Sequence, residues 1–417
     1  MRVAVNAWFL DEPGSGSGQY LQGLLGGMAA LGGQEDLPDL LLVAPPDARR
    51  PELPGLSVEW WSPPAGPWRS NAGKVAFEQV AFPRACRRWG ADVAHVPYWG
   101  SPLWPSVPTL VTVHDLIPLL LPAYRGGPLV RLYTRLASAA ARRASLVLTD
   151  SLASKADIEA HLRLPGGRVR AIYLAVDERF TPRPDAQDAA VLRRYRLPHR
   201  YVLYLGPHDV RKNVAGLLEA FQIVAEADAD VQLVVGGRLP EVSNSPLYDP
   251  RPLAHALGID GEVTFTGWVA EEHKPAFYRG AACAAFPSRY EGFGLPALEA
   301  LACGTPLVAS NAASLPELVG DAGFALDPDD VQGMAGAMLA NGSPAHLEAL
   351  EQAGENLGVV FQLKDDELGI YGEAAQSGKR ADSDIRDRKE RRLRQVERAL
   401  AGMDRWITAL SDGAAAN

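Results

Sequence analysis

Residues 283–310 read Cys-Ala-Ala-Phe-Pro-Ser-Arg-Tyr-Glu-Gly-Phe-Gly-Leu-Pro-Ala-Leu-Glu-Ala-Leu-Ala-Cys-Gly-Thr-Pro-Leu-Val-Ala-Ser. The order is strand, glycine loop, helix, turn, strand. Residues 283–287 form a short apolar run, as a buried strand does. Gly292 and Gly294 let the backbone approach a ligand closely. Pro296 suits the first helical position, where its missing N–H costs nothing. The helix is expected to end near Cys303 and Gly304, with Pro306 opening the next strand. A loop of this kind aims backbone N–H groups at one point, and the helix dipole adds positive potential there. Gly292, Phe293, Gly294 and Leu295 therefore read as a phosphate site. Two carboxylates flank it, Glu291 before the glycines and Glu299 in the first helical turn. Both can accept hydrogen bonds from the hydroxyls of a sugar nucleotide. Taken singly, Glu299 reads equally as an acid that compensates the dipole, and Glu291 as a solvated loop residue. The special backbone between them favours a ligand.

At 417 residues the chain has room for two or three domains. Its 47% hydrophobic content is ordinary for a soluble protein, and no apolar run approaches the roughly 20 residues of a membrane span. The N-terminus, Met-Arg-Val-Ala-Val-Asn, opens directly as a strand, so no signal peptide is expected. Cys86, Cys283 and Cys303 lie in apolar or helical surroundings without metal spacing. They read as reduced core residues of a cytoplasmic protein. A formal net charge of −9 argues against nucleic acid as a main partner.

Upstream, apolar runs alternate with helical segments, which predicts an α/β fold with a parallel sheet. Strands are expected near residues 3–6, 40–44, 93–96, 109–113, 146–149 and 169–173. Gly14, Gly16 and Gly18 follow the first strand, spaced either as a phosphate-approaching loop or as a flexible linker. Gly16 and Gly18 are the candidates to face a ligand, since ligands sit beyond the carboxyl ends of such strands. The run Val111–Pro118 ends a buried strand abruptly in His114-Asp115. That position favours a functional histidine over a polar turn, and Asp115 could hold the imidazole in one tautomer. Residues 121–143 are basic and helical. They could meet a lipid phosphate or a membrane surface, although a solvated helix face is the plainer reading. Asp150 or Ser151 is a plausible helix N-cap.

Residues 177–200 are rich in Pro, Arg and Asp and read as a connection between domains. The pattern then restarts, with strands expected near 201–205, 231–235, 263–266, 283–287 and 306–309. After the first of these come Arg211 and Lys212. Cations are disfavoured at a helix N-terminus unless an anion compensates, and a departing diphosphate is such an anion. Gly236 and the pair Trp268-Val269 stand at two further strand ends of the same sheet edge.

Glu291-Gly-Phe-Gly-Leu-Pro-x-x-Glu299-Ala, with seven residues between the glutamates, resembles the Glu-x7-Glu motif of retaining GT-B glycosyltransferases of family 4. The resemblance covers about residues 1–340. It implies two Rossmann-like domains facing across a cleft: an acceptor domain at 1–180, a linker at 181–200 and a donor-nucleotide domain at 201–340. It further implies transfer of a hexose, mannose or glucose, from a GDP- or UDP-linked donor to a saccharide or lipid-linked acceptor. Glu291 would contact the donor sugar and Glu299 the ribose. Arg211 and Lys212 would stabilise the departing nucleoside diphosphate, so that neither a metal nor a cofactor is needed. His114 and Asp115 would orient sugar or acceptor. Ser151 would lie near the donor phosphates, although capping explains it equally well. Gly236, Trp268 and Val269 would line the base pocket, and Glu317 would fix its loop. The enzyme would be cytoplasmic, and its basic segment leaves a peripheral contact with the inner membrane face open.

From Ser343 the pattern changes. Phe-Gln-Leu-Lys-Asp365-Asp366-x-x-Gly and Gly378-Lys379 resemble the second aspartate-rich region of trans-prenyl diphosphate synthases. The earlier aspartate-rich motif of those enzymes has no counterpart in the sequence. Residues 341–417 are therefore expected to form an atypical helical tail. Two other readings of the chain are a nucleotide-sugar-binding protein with impaired catalysis, and a fusion carrying a vestigial prenyl synthase segment.

Overall fold

A computed structural model of the chain describes residues 1–12, 14–31, 37–240 and 246–341. The tail helix and the Asp365-Asp366 pair expected within residues 342–417 lie outside the described residues. Residues 1–334 form one compact unit. It is built on two sheets, both wholly parallel.

The first sheet contains β1 (Arg2–Asn6), β2 (Asp39–Val43), β3 (Val58–Trp61), β4 (Val93–Val96), β5 (Thr109–Thr112), β6 (Leu146–Thr149) and β7 (Val169–Ala171). Their spatial order is β3-β2-β1-β4-β5-β6-β7. Successive residues of β2 serve opposite faces, as strand geometry demands. Leu41 and Val43 enter one buried cluster with Phe77, Phe82, Val111 and Ile158. Leu40 and Leu42 enter another with Leu21 and Leu25.

The second sheet contains β8 (Tyr201–Leu205), β9 (Gln232–Gly236), β10 (Val263–Gly267), β11 (Cys283–Phe286), β12 (Leu307–Ser310) and β13 (Phe324–Leu326). Its order is β10-β9-β8-β11-β12-β13. Every residue of β8 and β11 is buried, which explains their unbroken apolar runs. Cys86, Cys283 and Cys303 are free and buried.

In each sheet the chain leaves the centre in one direction, then returns to build the other side. The reversal falls between β1 and β4 in the first sheet and between β8 and β11 in the second. Loops leaving two such strands diverge and open a crevice at the carboxyl edge. Arg211 and Lys212 follow β8, and Glu291 to Gly294 follow β11, so the second crevice lies between them. Two strands, β3 and β13, were not among the expected ones. Both are edge strands paired on one side only, and neither contains a fully buried residue, so neither carries a long apolar run.

Candidate active site

The cations come first in the chain. After β8, the Asp209 carboxylate accepts from the Arg211 N–H and starts a single 3-10 turn, Val210–Lys212. Asn213 then adopts φ 53° and launches the helix Val214–Ala227. The anion that two adjacent cations require is Glu291. Arg211 Nη1 donates to Glu291 Oε2 at 2.7 Å and Lys212 Nζ to Oε1 at 2.5 Å. Arg211 Nη1 also donates to the Tyr290 carbonyl at 2.9 Å. Burial opposes the charge on Glu291, but Lys212 and then Arg211 outweigh it and hold its carboxyl below the usual range. Arg211 Nε is buried with no hydrogen-bond partner among the described residues.

The glycine loop is pinned by serine hydroxyls. Ser314 Oγ donates to the carbonyls of Glu291 (3.0 Å) and Phe293 (2.7 Å). A trans peptide points its N–H opposite to its carbonyl. The N–H groups of Gly292 and Gly294 therefore turn away from Ser314, and neither bonds to a described residue. Gly294 has φ 109° and precedes the helix Leu295–Ala302. Two expectations need correction here. Pro296 occupies the second helical position, and Glu299 lies beyond the first turn. There Glu299 accepts from Tyr278 Oη at 2.9 Å, and burial raises its carboxyl above the ordinary value.

The first half supplies His114 at the end of β5 and Asp150 at the end of β6. His114 Nδ1 and Asp150 Oδ2 are 2.6 Å apart. Burial disfavours the imidazolium, but Asp150 and then Asp115 outweigh it, so His114 titrates above the usual histidine value. Its buried Nε2 makes no well-formed hydrogen bond among the described residues, although the Pro97 backbone also favours the protonated ring. The expected tautomer partner, Asp115, is not the one used. Asp115 Oδ1 accepts from the Ile117 N–H at 3.0 Å and starts the next short helix. Asp150 takes the role because β5 and β6 are neighbours in register. Its position at a strand end was the signal available in the sequence.

A pH series separates this pairing from ordinary packing. A histidine raised in the folded state adds stability that is complete below about pH 6.5 and fades as pH climbs through the folded value. Asp150→Asn is therefore expected to lower the melting temperature more in mild acid than in alkali. An equal deficit at both ends would remove the His114–Asp150 charge from the account.

The two halves meet around this site. Ser151 Oγ and Ser154 Oγ donate to the Gly292 carbonyl at 2.7 and 2.9 Å. Ser151 is also the N-cap of the helix Leu152–Leu162. Its hydroxyl thus touches the loop as well as capping. The next two N–H groups of that helix, from Leu152 and Ala153, donate to the Glu317 carboxylate at 2.8 and 2.6 Å. Glu317, expected to fix its own loop, lies in the helix Leu315–Val319 and instead reaches across to the other half. Tyr173 Oη joins it at 3.0 Å. Tyr290 Oη donates to Asp157 at 2.7 Å, and Tyr124 Oη donates to Asp209.

The remaining candidates divide by what holds them. The helix Gly16–Leu31 begins earlier than expected, so Gly16 and Gly18 lie in its first turn. Ser15 Oγ accepts from the Gly18 N–H, and a Cβ on Gly18 would lie 2.0 Å from the Glu12 carbonyl oxygen. Packing alone requires Gly18, whereas a Cβ on Gly16 would meet open space. A Cβ on Gly236 would meet Leu205 at 2.4 Å. Val269 is buried, while Trp268 is 54% exposed beneath the Arg238 guanidinium. Phe293 is buried against Tyr173.

Residues 14–180 match the family described as Glycosyltransferase Family 4, and residues 199–341 match Glycosyl transferases group 1. A D-inositol 3-phosphate glycosyltransferase of Saccharomonospora viridis is 31% identical over 66% of this chain and 69% of its own length. The chain belongs to the family 4 glycosyltransferases. An O-antigen chain mannosyltransferase B of Escherichia coli is 35% identical over 55% of this chain. The match spans 60% of that relative's own length. The fold is that of a sucrose-phosphate synthase from Thermosynechococcus elongatus. That structure aligns with a TM-score of 0.64 at 22% identity, over 83% of this chain and 91% of the other. Residues 331–391 match the family described as Polyprenyl synthetase. That match begins in the helix Val331–Asn341, where the glycosyltransferase match ends.

Proposed function

We propose that this glycosyltransferase moves a hexose, first of all mannose, from a nucleotide-sugar donor to a saccharide or lipid-linked acceptor, with retention and without a metal. The observation that carries this reading is the convergence at the β8/β11 crevice. Arg211 and Lys212 both pair with Glu291, the residue before the glycine loop, and among the described residues Arg211 Nε and the N–H groups of Gly292 and Gly294 have no partner. Together they are complementary to a diphosphate. Residues 201–340 would hold the donor nucleotide and residues 1–180 the acceptor.

In this reading Glu291 keeps the cations in place before the donor arrives. The diphosphate then takes a share of Arg211 and Lys212, and hydroxyls of the donor sugar donate to Glu291. His114, with Nδ1 held by Asp150, presents Nε2 to sugar or acceptor. The bond from the anomeric carbon to the phosphate oxygen breaks, with charge gathering on the diphosphate. The acceptor oxygen bonds to that carbon on the same face, and its proton passes to the departing phosphate. Arg211, Lys212 and the loop N–H groups are fixed before the step, so they stabilise the new charge without reorganising. Glu299 and the Trp268 region would serve ribose and base.

Donor binding is the direct test. GDP and GDP-mannose are expected to raise the melting temperature, equally with and without Mg2+. UDP, ADP and their sugars should do so less. Saturation at about 100 times Kd adds about 2.7 kcal/mol to the native state. A shift with UDP-glucose alone would replace mannose by glucose, and no shift with any nucleotide would remove the donor site.

A further inference from the structure

The short helix Ile117–Leu120 that follows β5 ends at Leu121, which is extended, as the residue before a proline tends to be. Pro122 then opens a single 3-10 turn, Pro122–Tyr124, whose last residue reaches the second half. There Tyr124 Oη donates to Asp209 Oδ1. The same oxygen accepts from the Arg211 N–H at 3.0 Å, so both of its lone pairs are used. Asp209 Oδ2 faces Arg211 Nη2 at 3.4 Å. One buried carboxylate thus holds the backbone of Arg211 and one amino group of its guanidinium, and a hydroxyl from the first half holds that carboxylate. The other amino group is tied in the same manner. Arg211 Nη1 donates to the Tyr290 carbonyl, and Tyr290 Oη donates to Asp157 of the first half. Two tyrosines that bridge the halves therefore end on the partners of one guanidinium.

We propose that Tyr124 is a positioning residue, which sets the Arg211 guanidinium for the departing diphosphate and does so only while the two halves are together. The inference rests on the reading of Arg211 as the leaving-group cation. Without the hydroxyl, a buried carboxylate oxygen is left with an unused lone pair, which is costly. Arg211 Nη2 already faces that carboxylate and would close on it. The swing draws the guanidinium off the diphosphate. Parting of the halves removes the hydroxyl just as a substitution does, so an open molecule would hold its donor beside a misaligned cation. Departure of the diphosphate is thereby reserved for the closed form.

The test is calorimetric titration of the full chain with GDP and with GMP, or with UDP and UMP if uracil is the base bound. Each pair differs only by the phosphate assigned to Arg211. Tyr124→Phe removes the hydroxyl and keeps the ring. It should lower the preference for the diphosphate about tenfold, the loss of one hydrogen bond to a charged group, and leave the monophosphate affinity within twofold. In the Arg211→Ala background the same change should cost less than twofold, because Tyr124 acts through Arg211. Tyr173→Phe cuts another tyrosine–carboxylate bond between the halves, to Glu317, and should leave the preference within twofold. In wild type the Arg211 Nε–H proton resonance, identified by its loss in Arg211→Ala, should shift when the diphosphate is added, and in Tyr124→Phe it should shift less. An unchanged preference in Tyr124→Phe would overturn the proposal. So would equal losses in the two backgrounds, an equal loss in Tyr173→Phe, or a matching loss of monophosphate affinity, which would make the hydroxyl merely structural. If Arg211→Ala keeps the wild-type preference, the reading of Arg211 itself fails and the inference falls with it.

Discussion

Arg211→Ala lowers kcat about a thousandfold in a sugar-transfer assay, with KM for the donor changed far less. That is the expected size for one preorganised group aimed at developing charge, about 4 kcal/mol of barrier. The geometry is specific. Arg211 Nη1 is occupied by Glu291 and the Tyr290 carbonyl, whereas Nε is buried without a partner among the described residues. A truncated side chain removes that donor and leaves Lys212 as the remaining cation on Glu291 among the described residues. Stability should therefore fall too, and the pH sign is fixed. A carboxylate depressed in the folded state contributes stability above about pH 4.3, and this is lost as pH falls through the folded value. The melting deficit of Arg211→Ala should be present at neutral pH and shrink in acid. A variant that turns over within tenfold of wild type would show that Arg211 is an anchor for Glu291 and nothing more.

Gly292→Ala lowers kcat about a hundredfold. A Cβ there would stand 2.9 Å from the His114 carbonyl oxygen and 3.1 Å from Asp115 Cβ. The first neighbour is backbone and cannot rotate aside. The methyl group would act as a wedge where the loop after β11 meets the loop after β5. Displacing reacting groups by about 1 Å costs on the order of a hundredfold in rate. The melting temperature should change little, because the loop can retreat from the first half without emptying either core. Activity within a factor of two would mean that this close contact is not part of the working arrangement. Greatly reduced folding would mean that the loop cannot retreat at all.

Much of this site could be read in the chain before any coordinates. Gly292, Gly294, Glu291, Arg211 and Lys212 stand out because each breaks a local rule. Glycines precede a helix without ending one, and cations stand where a helix dipole repels them. Other contacts were illegible because their partners are distant in sequence. Ser314 is 23 residues from Glu291, and Glu317 is 165 from Leu152. No local rule predicts a hydroxyl or a carboxylate reaching so far. In the sequence Asp115 reads as the partner of His114, its neighbour, and Asp150 reads only as a helix cap. Adjacency of strands decides it instead, and a strand order of β5-β6 would have placed Asp150 correctly. Glu299 fell outside the first turn because the helix starts at Leu295, a boundary that loop glycines obscure. The edge strands escaped for want of apolar patterning.

The Glu317 carboxylate has a consequence for how opening of the molecule could be followed. The amide hydrogens of Leu152 and Ala153 belong to one half, and their acceptor belongs to the other. Separating the halves unblocks those two hydrogens without unfolding any helix or strand. Their exchange with deuterium would then count separations directly. Deep amides of β8 or β11 would exchange only on global unfolding. The rate of the first pair against that of an unprotected amide would give the free energy that holds the halves together. A bound nucleotide sugar that slowed the first pair and left the second unchanged would measure closure itself.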